Sequence, residues 1–256
     1  MKTVIRAKGL SKQFLHPSET HSMRLKGYLA GIFRHSPPPT TTPHSPVTQH
    51  WILNDLHFTV SKCEKVGIIG KNGAGKSTLI KLLSRILRPT RGELQINGRI
   101  VTLIEIGAGF LEELTGRENI YLCGGLMGMK RRDIARQLDS ITGFAEIESM
   151  LDCPIKRYST GMIARLGFAL AIHADADILA VDETLAVGDT AFQKRCLSAI
   201  KEWMQRKEGT LIFVSHSKSL IENFCTRALY LKDGKIAFDG DPLRCWDIHE
   251  KDLRNP

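Results

Sequence analysis

Residues 66–77 read Val-Gly-Ile-Ile-Gly-Lys-Asn-Gly-Ala-Gly-Lys-Ser. The last eight of them, 70–77, fit the pattern G-x-x-x-x-G-K-[ST] at every fixed position. The residues before them predict a short buried strand, and residues 76–87, which stop before Pro89, predict a helix. A strand, a glycine-rich turn and a helix in this order are typical of a loop that wraps a phosphate, so this stretch indicates a nucleotide-binding α/β fold.

The loop supplies the groups that the phosphates of ATP require. Its glycines let consecutive backbone amides curl around a phosphate, and the amino end of the helix adds partial positive charge. Lys76 is expected to reach the β- and γ-phosphates, and Ser77 to ligate Mg²⁺. The full set of predicted contacts is Gly70, Asn72, Gly73, Gly75, Lys76, Ser77 and Thr78. A purely structural glycine turn is the weaker alternative, because the strand and helix context is present.

Two further apolar runs end in polar residues. Ile178–Val181 leads into Asp182 and Glu183, and residues 211–214 lead toward His216. Ligands of parallel α/β folds bind at the carboxyl ends of strands. We therefore predict that Asp182 belongs to the Mg²⁺ shell and that Glu183 orients the attacking water. His216 is expected to contact the γ-phosphate or that water. Taken alone, each would be an ordinary turn or strand-end residue.

The composition indicates a globular protein and excludes several classes. The 256 residues are 42% hydrophobic and 25% charged, which excludes whole-chain disorder and collagen-like repeats. No run approaches the roughly 20 apolar residues that span a bilayer, and the first residues do not have the pattern of a secretory signal. The six cysteines are scattered without a C-x-x-C pair, which favours reduced thiols over a disulfide framework or a zinc site.

The positive charge lies near the beginning of the chain. Residues 1–50 contain seven Lys and Arg against one acid, so this part carries +6 of the net charge of +9. Residues 15–50 form a proline-rich insertion in which 25–33 predict a short amphipathic helix with basic residues off its apolar face. Such an arm suits an anionic surface, either lipid head groups or nucleic acid; a solvated linker is the alternative.

Alternating strands and helices predict a mainly parallel α/β core within a single domain, 1–256. Residues 112–172 are predicted to be mostly helical, which suggests an inserted subdomain over 110–175. Asn97-Gly98 predicts a turn between short strands, and Asp233-Gly234 predicts a β-hairpin.

The stretch Tyr158-Ser159-Thr160-Gly161-Met162 lies before a predicted helix, with Ser159 placed 23 residues before Asp182. With it, the chain resembles an ABC-type ATPase over nearly its whole length. The signature loop of that family usually reads L-S-G-G-Q; Ser159 and Gly161 are retained here, and Thr160 and Met162 depart from it. The resemblance implies a P-loop NTPase core of ABC type with an antiparallel β part and an inserted helical subdomain. It also implies that Ser159 and Gly161 bind the ATP of a partner copy, in a homodimer.

Three stretches resemble the ATP-binding subunits of bacterial polysaccharide exporters, which serve O-antigen, capsule and teichoic acid. They are residues 105–119, 158–166 and 182–189. This resemblance implies an ATPase peripheral to the cytoplasmic face of the inner membrane, docked on an integral-membrane permease, with no nucleic acid expected. Because the sequence ends at Pro256, we expect no carbohydrate-binding domain and leave polymer recognition to the permease.

The resemblance also assigns individual residues. Glu105 stands near the position of a glutamine that senses Mg²⁺ and the membrane partner, so it is a candidate metal ligand. Phe14 is the candidate aromatic that stacks on adenine, and Asp189 is the candidate dimer contact. Thr115-x-x-Glu118 is interpreted as a helix capping box rather than a catalytic pair.

Two alternative functions fit an ABC-type ATPase. A soluble ABC-type ATPase acting on nucleic acid or ribosomes would use the basic arm as its contact. Such proteins usually carry two cassettes in one chain or a long coiled coil, and the arm has no aromatic residues interleaved with many basic ones. A regulatory ATP-binding subunit with little turnover is disfavoured, because Lys76, Asp182, Glu183 and His216 are all present.

Overall fold

The computed structural model describes residues 2–16, 48–103, 109–182 and 189–254. Its strands are β1 (Thr3–His16), β2 (Thr48–Ser61), β3 (Lys65–Gly70), β4 (Arg91–Ile96), β5 (Ile100–Thr102), β6 (Ile178–Val181), β7 (Thr210–Val214), β8 (Arg227–Lys232) and β9 (Lys235–Gly240). Its α-helices are α1 (Lys76–Leu83), α2 (Gly116–Leu126), α3 (Arg131–Ala145), α4 (Thr160–His173), α5 (Thr190–Lys207), α6 (Lys218–Phe224) and α7 (Pro242–Arg254). Two short 3₁₀ helices, Glu148–Met150 and Ile155–Arg157, lie between α3 and α4.

The larger sheet has the strand order β5-β6-β7-β3-β8-β9. Its strands run parallel except for β9, which pairs antiparallel with β8 through the Asp233-Gly234 hairpin. Strands β6 and β7 are buried throughout, as expected of parallel strands covered on both faces. The predicted parallel core and hairpin are therefore confirmed. Because β6, β7 and β3 are neighbours, their carboxyl ends meet at one edge of the sheet.

The smaller sheet is antiparallel, with the order β2-β1-β4. Strands β1 and β2 pair along their whole length, from Thr3 opposite Ser61 to His16 opposite Thr48. Residues 17–47 lie between these strands in the chain, and the predicted amphipathic helix within them lies outside the described residues.

The Asn97-Gly98 turn does not close a hairpin. It joins β4 of the smaller sheet to β5 of the larger one, so the chain passes between sheets there. The physical reason is the pairing of β5 with β6: Arg99 N–H donates to the Asp177 carboxylate over 2.7 Å, and Asp177 N–H donates to the Arg99 carbonyl over 2.9 Å.

Helices α2, α3 and α4 lie between residues 116 and 173, in agreement with the prediction that residues 112–172 are mostly helical. The interpretation of Thr115 and Glu118 as a capping box at the start of α2 is also confirmed, because each side chain accepts the other's backbone N–H. Stacked Phe144 and Phe168, with ring centroids 5.5 Å apart, pack α3 on α4. Within the described ranges, no helix is long and apolar enough to span a membrane.

Candidate nucleotide-binding site

The phosphate-loop sequence lies between β3 and α1, as its pattern predicts. Gly70 is the last residue of β3, and Gly75 caps α1 with a φ of +101°. A Cβ atom on Gly75 would lie 2.9 Å from the carbonyl oxygen of Ile52 and would also overlap the side chain of Leu53. Only glycine fits at this position, because β2 presses directly on the loop.

Lys76 lies at the base of the loop and is only 8% exposed. Its ammonium donates to the carbonyl oxygens of Gly70 over 2.8 Å and of Lys71 over 3.0 Å. These bonds satisfy a buried charge and hold it where the loop amides converge.

A cavity of about 370 Å³ opens over the loop. The residues that line it are Ile52, Asn72, Gly73, Gly75, Lys76, Ser77, Thr78, Asp182 and His216. Asp182 follows β6 and His216 lies just beyond β7, so the order of the strands brings both to the loop after β3. The structure thus assembles in one place the phosphate loop and two strand-end residues that follow it by more than 100 residues in the chain. Gly70 is not among the lining residues; its carbonyl oxygen accepts a hydrogen bond from the Lys76 ammonium.

Phe14 does not line this cavity. It lies half-buried on β1 opposite His50, and the ammonium of Lys12 lies 5.2 Å from its ring centroid. The large apolar side chain among the lining residues is Ile52, which sequence reasoning missed. No motif marks Ile52, because it reaches the cavity only through the packing of β2 on the loop. The assignment of Phe14 to adenine stays a prediction.

Ser159 and Gly161 lie at the amino end of α4 and do not line the cavity. The Ser159 hydroxyl accepts the Met162 N–H over 3.2 Å, and the residue is exposed. Asp189 caps α5 by accepting the Phe192 N–H over 2.8 Å. Glu105 and Glu183, the candidate metal ligand and the candidate base, lie outside the described residues.

The sequence of residues 53–186, just over half of the chain, matches the family described as ABC transporter. The chain belongs to the ABC transporter family. It is an ATP-binding subunit of that family and an ATPase. Its fold class, a P-loop NTPase core of ABC type with an antiparallel β part, is the one that the family resemblance implies.

Three curated relatives are similar over most of this ABC ATPase. The O-antigen export system ATP-binding protein RfbB of Klebsiella pneumoniae is 40% identical over 78% of the chain and 80% of the relative. The ABC transporter protein AbcA of Aeromonas salmonicida is 42% identical over 78% of the chain and 65% of the relative. The teichoic acids export ATP-binding protein TagH of Bacillus anthracis is 41% identical over 80% of the chain and 37% of the relative.

Solved structures agree on the fold. An ATP-binding subunit of an ABC transporter superposes with a TM-score of 0.70 over 93% of this chain and 90% of its own, at 22% identity. A dimeric post-hydrolysis ATP-binding cassette bound to ADP and Pi gives the same TM-score over 93% of this chain and 98% of its own, at 18% identity. At such identities the likeness shows the fold alone.

Helix α7 of the ABC ATPase places a buried histidine near the site. His249 is 4% exposed, lies between the rings of Tyr230 and Trp246, and its Nδ1 has no hydrogen-bond partner in the part of the chain that the structure describes. Burial lowers the pKa of His249, the neighbouring His216, Lys76 and Lys71 lower it further, and Asp252 acts in the opposite direction. The sequence alone does not single out His249, because the groups around it lie not only on α7 but also on β8, in the phosphate loop and beyond β7.

Proposed function

We propose that this chain is the ATP-hydrolysing motor of a membrane exporter of a cell-surface polysaccharide. The ATPase part of this proposal is supported by the cavity that the phosphate loop, Asp182 and His216 line together. The polysaccharide part rests on relatives about two-fifths identical, whose names describe export of O-antigen and teichoic acids. The alternative of an ATPase acting on nucleic acid or ribosomes gains no support from these relatives.

In the proposed mechanism, the loop amides and Lys76 bind the β- and γ-phosphates of ATP. The hydroxyl of Ser77 and the carboxylate of Asp182 fit Mg²⁺, because this ion prefers oxygen ligands and both groups line one cavity. When bound, Mg²⁺ neutralises charge on the phosphates. Glu183 orients the attacking water, and His216 contacts the γ-phosphate or that water. Glu105 is a further candidate ligand of Mg²⁺.

Two copies of the chain work together in this proposal. Ser159 and Gly161, at the exposed amino end of α4, bind the γ-phosphate of the ATP held by the partner copy. Partial positive charge at a helix amino end suits this role. The pair docks on an integral-membrane permease at the cytoplasmic face of the inner membrane, and the basic arm within residues 15–50 lies along the anionic membrane surface.

The role of Glu183 is tested by Glu183→Gln. Loss of the water-orienting carboxylate should lower steady-state ATP hydrolysis by about 100-fold or more while ATP binding is kept. The matched control is Glu222→Gln on the exposed face of α6, which should hydrolyse ATP at the wild-type rate. A Glu183→Gln protein that keeps most of its activity would remove Glu183 from the mechanism.

The export function is tested by purifying tagged Glu183→Gln protein from gently solubilised membranes in the presence of ATP and Mg²⁺. A multi-spanning membrane protein recovered in stoichiometric amount is the expected result. Lys76→Ala, which should not bind ATP, is the control for nucleotide-dependent recovery. Recovery of ribosomes or nucleic acid instead would overturn the exporter proposal and leave the ATPase assignment standing.

A further inference from the structure

The segment before α2 and the segment before α4 are joined side by side. Residues 112–117 run antiparallel to residues 151–156, with Thr115 opposite Pro154. Four backbone hydrogen bonds connect them: Gly116 N–H to Cys153 (3.1 Å), Arg117 N–H to Leu151 (2.9 Å), Ile155 N–H to Leu114 (2.9 Å) and Lys156 N–H to Glu112 (3.1 Å). Two stretches nearly forty residues apart in the chain therefore form one hydrogen-bonded unit.

Two ion pairs flank this unit. The Arg117 guanidinium donates to both carboxylate oxygens of Asp152, over 2.7 and 3.1 Å, and the Lys156 ammonium donates to Glu113 over 2.7 Å. All four side chains are exposed, so each pair contributes little to stability by itself. They span the two segments at different ends, in the register that the backbone hydrogen bonds set.

Tyr158 connects the hydrogen-bonded unit of residues 112–117 and 151–156 to the signature loop, residues 158–162. It is 7% exposed, and its hydroxyl donates to the Met150 carbonyl over 2.7 Å. Burial raises the pKa of this hydroxyl to about 12, so it remains a donor at neutral pH. The ring packs on Gly116, the first residue of α2: a Cβ atom there would lie 3.1 Å from Cζ of Tyr158 and far inside van der Waals contact of the hydroxyl oxygen.

The residue after Tyr158 is Ser159, which caps α4. The Tyr158 backbone N–H is itself bonded to the Ile155 carbonyl over 2.7 Å, so its main chain and side chain are both held. With a single peptide unit between them, the anchored main chain of Tyr158 restricts where Ser159 and the start of α4 can lie.

We propose that Tyr158 is a positioning residue for the signature loop. Its contacts with Met150 and Gly116 hold Ser159 and the amino end of α4 in place, so that a shift of the start of α2 is transmitted to the signature loop. This inference rests on the proposed function, because it takes from it the dimer in which Ser159 meets the partner's ATP.

The main test is Tyr158→Phe, which keeps the ring and removes the hydroxyl. Loss of one buried hydrogen bond at this position should lower kcat about fivefold and weaken ATP-dependent dimerisation of the Glu183→Gln protein by about the same factor. The affinity of the chain's own phosphate loop for ATP, measured by fluorescent-nucleotide titration, should stay within about twofold of the reference, because Tyr158 lies outside that cavity. A merely structural defect would not separate these two quantities.

Tyr230→Phe is the matched control. Tyr230 is also buried and its hydroxyl also makes one hydrogen bond, to Asp252 over 3.0 Å, which joins β8 to α7 and does not involve the signature loop. This variant should lose comparable thermal stability and keep its kcat and its dimerisation. Equal losses of kcat in the two variants would overturn the positioning role.

A second pair of variants tests the contact with Gly116. Gly116→Ala should lower kcat because the new methyl group displaces the Tyr158 hydroxyl, and Gly116→Ala combined with Tyr158→Phe should recover activity by about threefold over Gly116→Ala alone. A double variant no better than the single one would contradict the inferred contact.

The outcomes separate this inference from the proposed function. If the Glu183→Gln reference dimerises with ATP and its Tyr158→Phe form dimerises equally well, the role of Tyr158 is overturned and the dimer stands. If the reference itself never dimerises, the proposed dimer fails, and the role of Tyr158 falls with it.

Discussion

Among single residues, Ile52 and Phe14 offer alternative apolar contacts for the nucleotide. Ile52 lines the cavity over the phosphate loop, and its carbonyl oxygen lies against Gly75 and Gly234. Phe14 lies on β1, near Lys12 and opposite His50. The residue that contacts the base or sugar is therefore a question that substitution can answer directly.

Ile52→Ala is expected to weaken ATP binding about tenfold, because it removes about two methylene equivalents of apolar contact from the cavity. Phe14→Ala is the paired variant, and isothermal titration of each protein with ATP is the measurement. A loss confined to Phe14→Ala would assign the nucleotide contact to Phe14, as the family resemblance implies. A loss of ATP affinity confined to Ile52→Ala would assign the nucleotide contact to Ile52 on β2.

His249 makes the stability of the protein depend on pH. Its folded-state pKa lies below the ordinary 6.5, so the fold favours the neutral ring. Below pH 6.5 the unfolded chain binds a proton that the folded chain resists, and stability falls as pH drops further, toward the folded-state pKa. Above pH 6.5 this contribution is fully present.

His249→Phe should flatten the dependence of the urea midpoint on pH between about 8 and about 5. His57→Gln is the control, because His57 is exposed on β2, where its Nε2 lies 2.9 Å from the Asp55 carboxylate. The control should keep the wild-type slope. If the urea midpoint depended on pH in the same way in the wild type, His249→Phe and His57→Gln, His249 would not contribute to the loss of stability at low pH.

At the scale of elements, helix α2 begins where its local sequence requires. Thr115 and Glu118 satisfy each other's backbone N–H groups, and the Thr115 N–H together with its hydroxyl lowers the pKa of Glu118. The same turn carries the bonds that join α2 to residues 151–156. A local capping motif thus fixes the start of helix α2, and residues 151–156, which precede the signature loop, are hydrogen-bonded to that start.

Thr115→Ala should destabilise the protein by about 1 kcal/mol and lower Tm by about 2–4 °C, because an orphan N–H of the first turn loses its acceptor. Thr115→Ser retains the hydroxyl and should stay close to wild type. Calorimetry on the three proteins is the measurement. An alanine variant as stable as wild type would mean that water replaces the cap at no cost.

Elements defined by short patterns agreed with prediction, whereas the sequence does not specify which strands pair over long range. Strand β3, helix α1 and the β8–β9 hairpin each span at most 14 consecutive residues, so steric preferences and turn chemistry predict them. The Asn97-Gly98 turn has an equally clear local pattern. Its strands nevertheless belong to different sheets, because β5 pairs with β6 from the other side of the helical region.

For the whole molecule, the basic arm and the β1–β2 hairpin form one continuous stretch of chain. His16 pairs with Thr48, so deletion of residues 20–46 would leave four residues, 17–19 and 47, to close the hairpin. A loop of that length is ordinary for antiparallel strands. The arm can thus be removed without disturbing the pairing of the described strands.

Deletion of residues 20–46 is expected to reduce recovery of the protein with membranes and its binding to vesicles rich in anionic lipid, because it removes three of the arm's cations. A matched variant replaces Arg24, Lys26 and Arg34 with Gln at constant length. Vesicle sedimentation at low and high salt is the measurement, and salt should weaken wild-type binding the most. Unchanged binding in both variants would show that the arm does not contact lipid.

The amino-acid sequence by itself determined the phosphate loop, the apolar strands before Asp182 and near His216, the capping box of α2 and the ABC family. Each depends on neighbouring residues whose backbone sterics and hydrogen-bonding groups act over a few bonds. Only the tertiary structure decided that Ile52 lines the cavity, that His249 lies buried beside Tyr230, and that Tyr158 packs on Gly116. Those contacts join residues that lie 19 to 164 positions apart in the chain. They follow from strand order and close packing of whole elements, which no short pattern encodes.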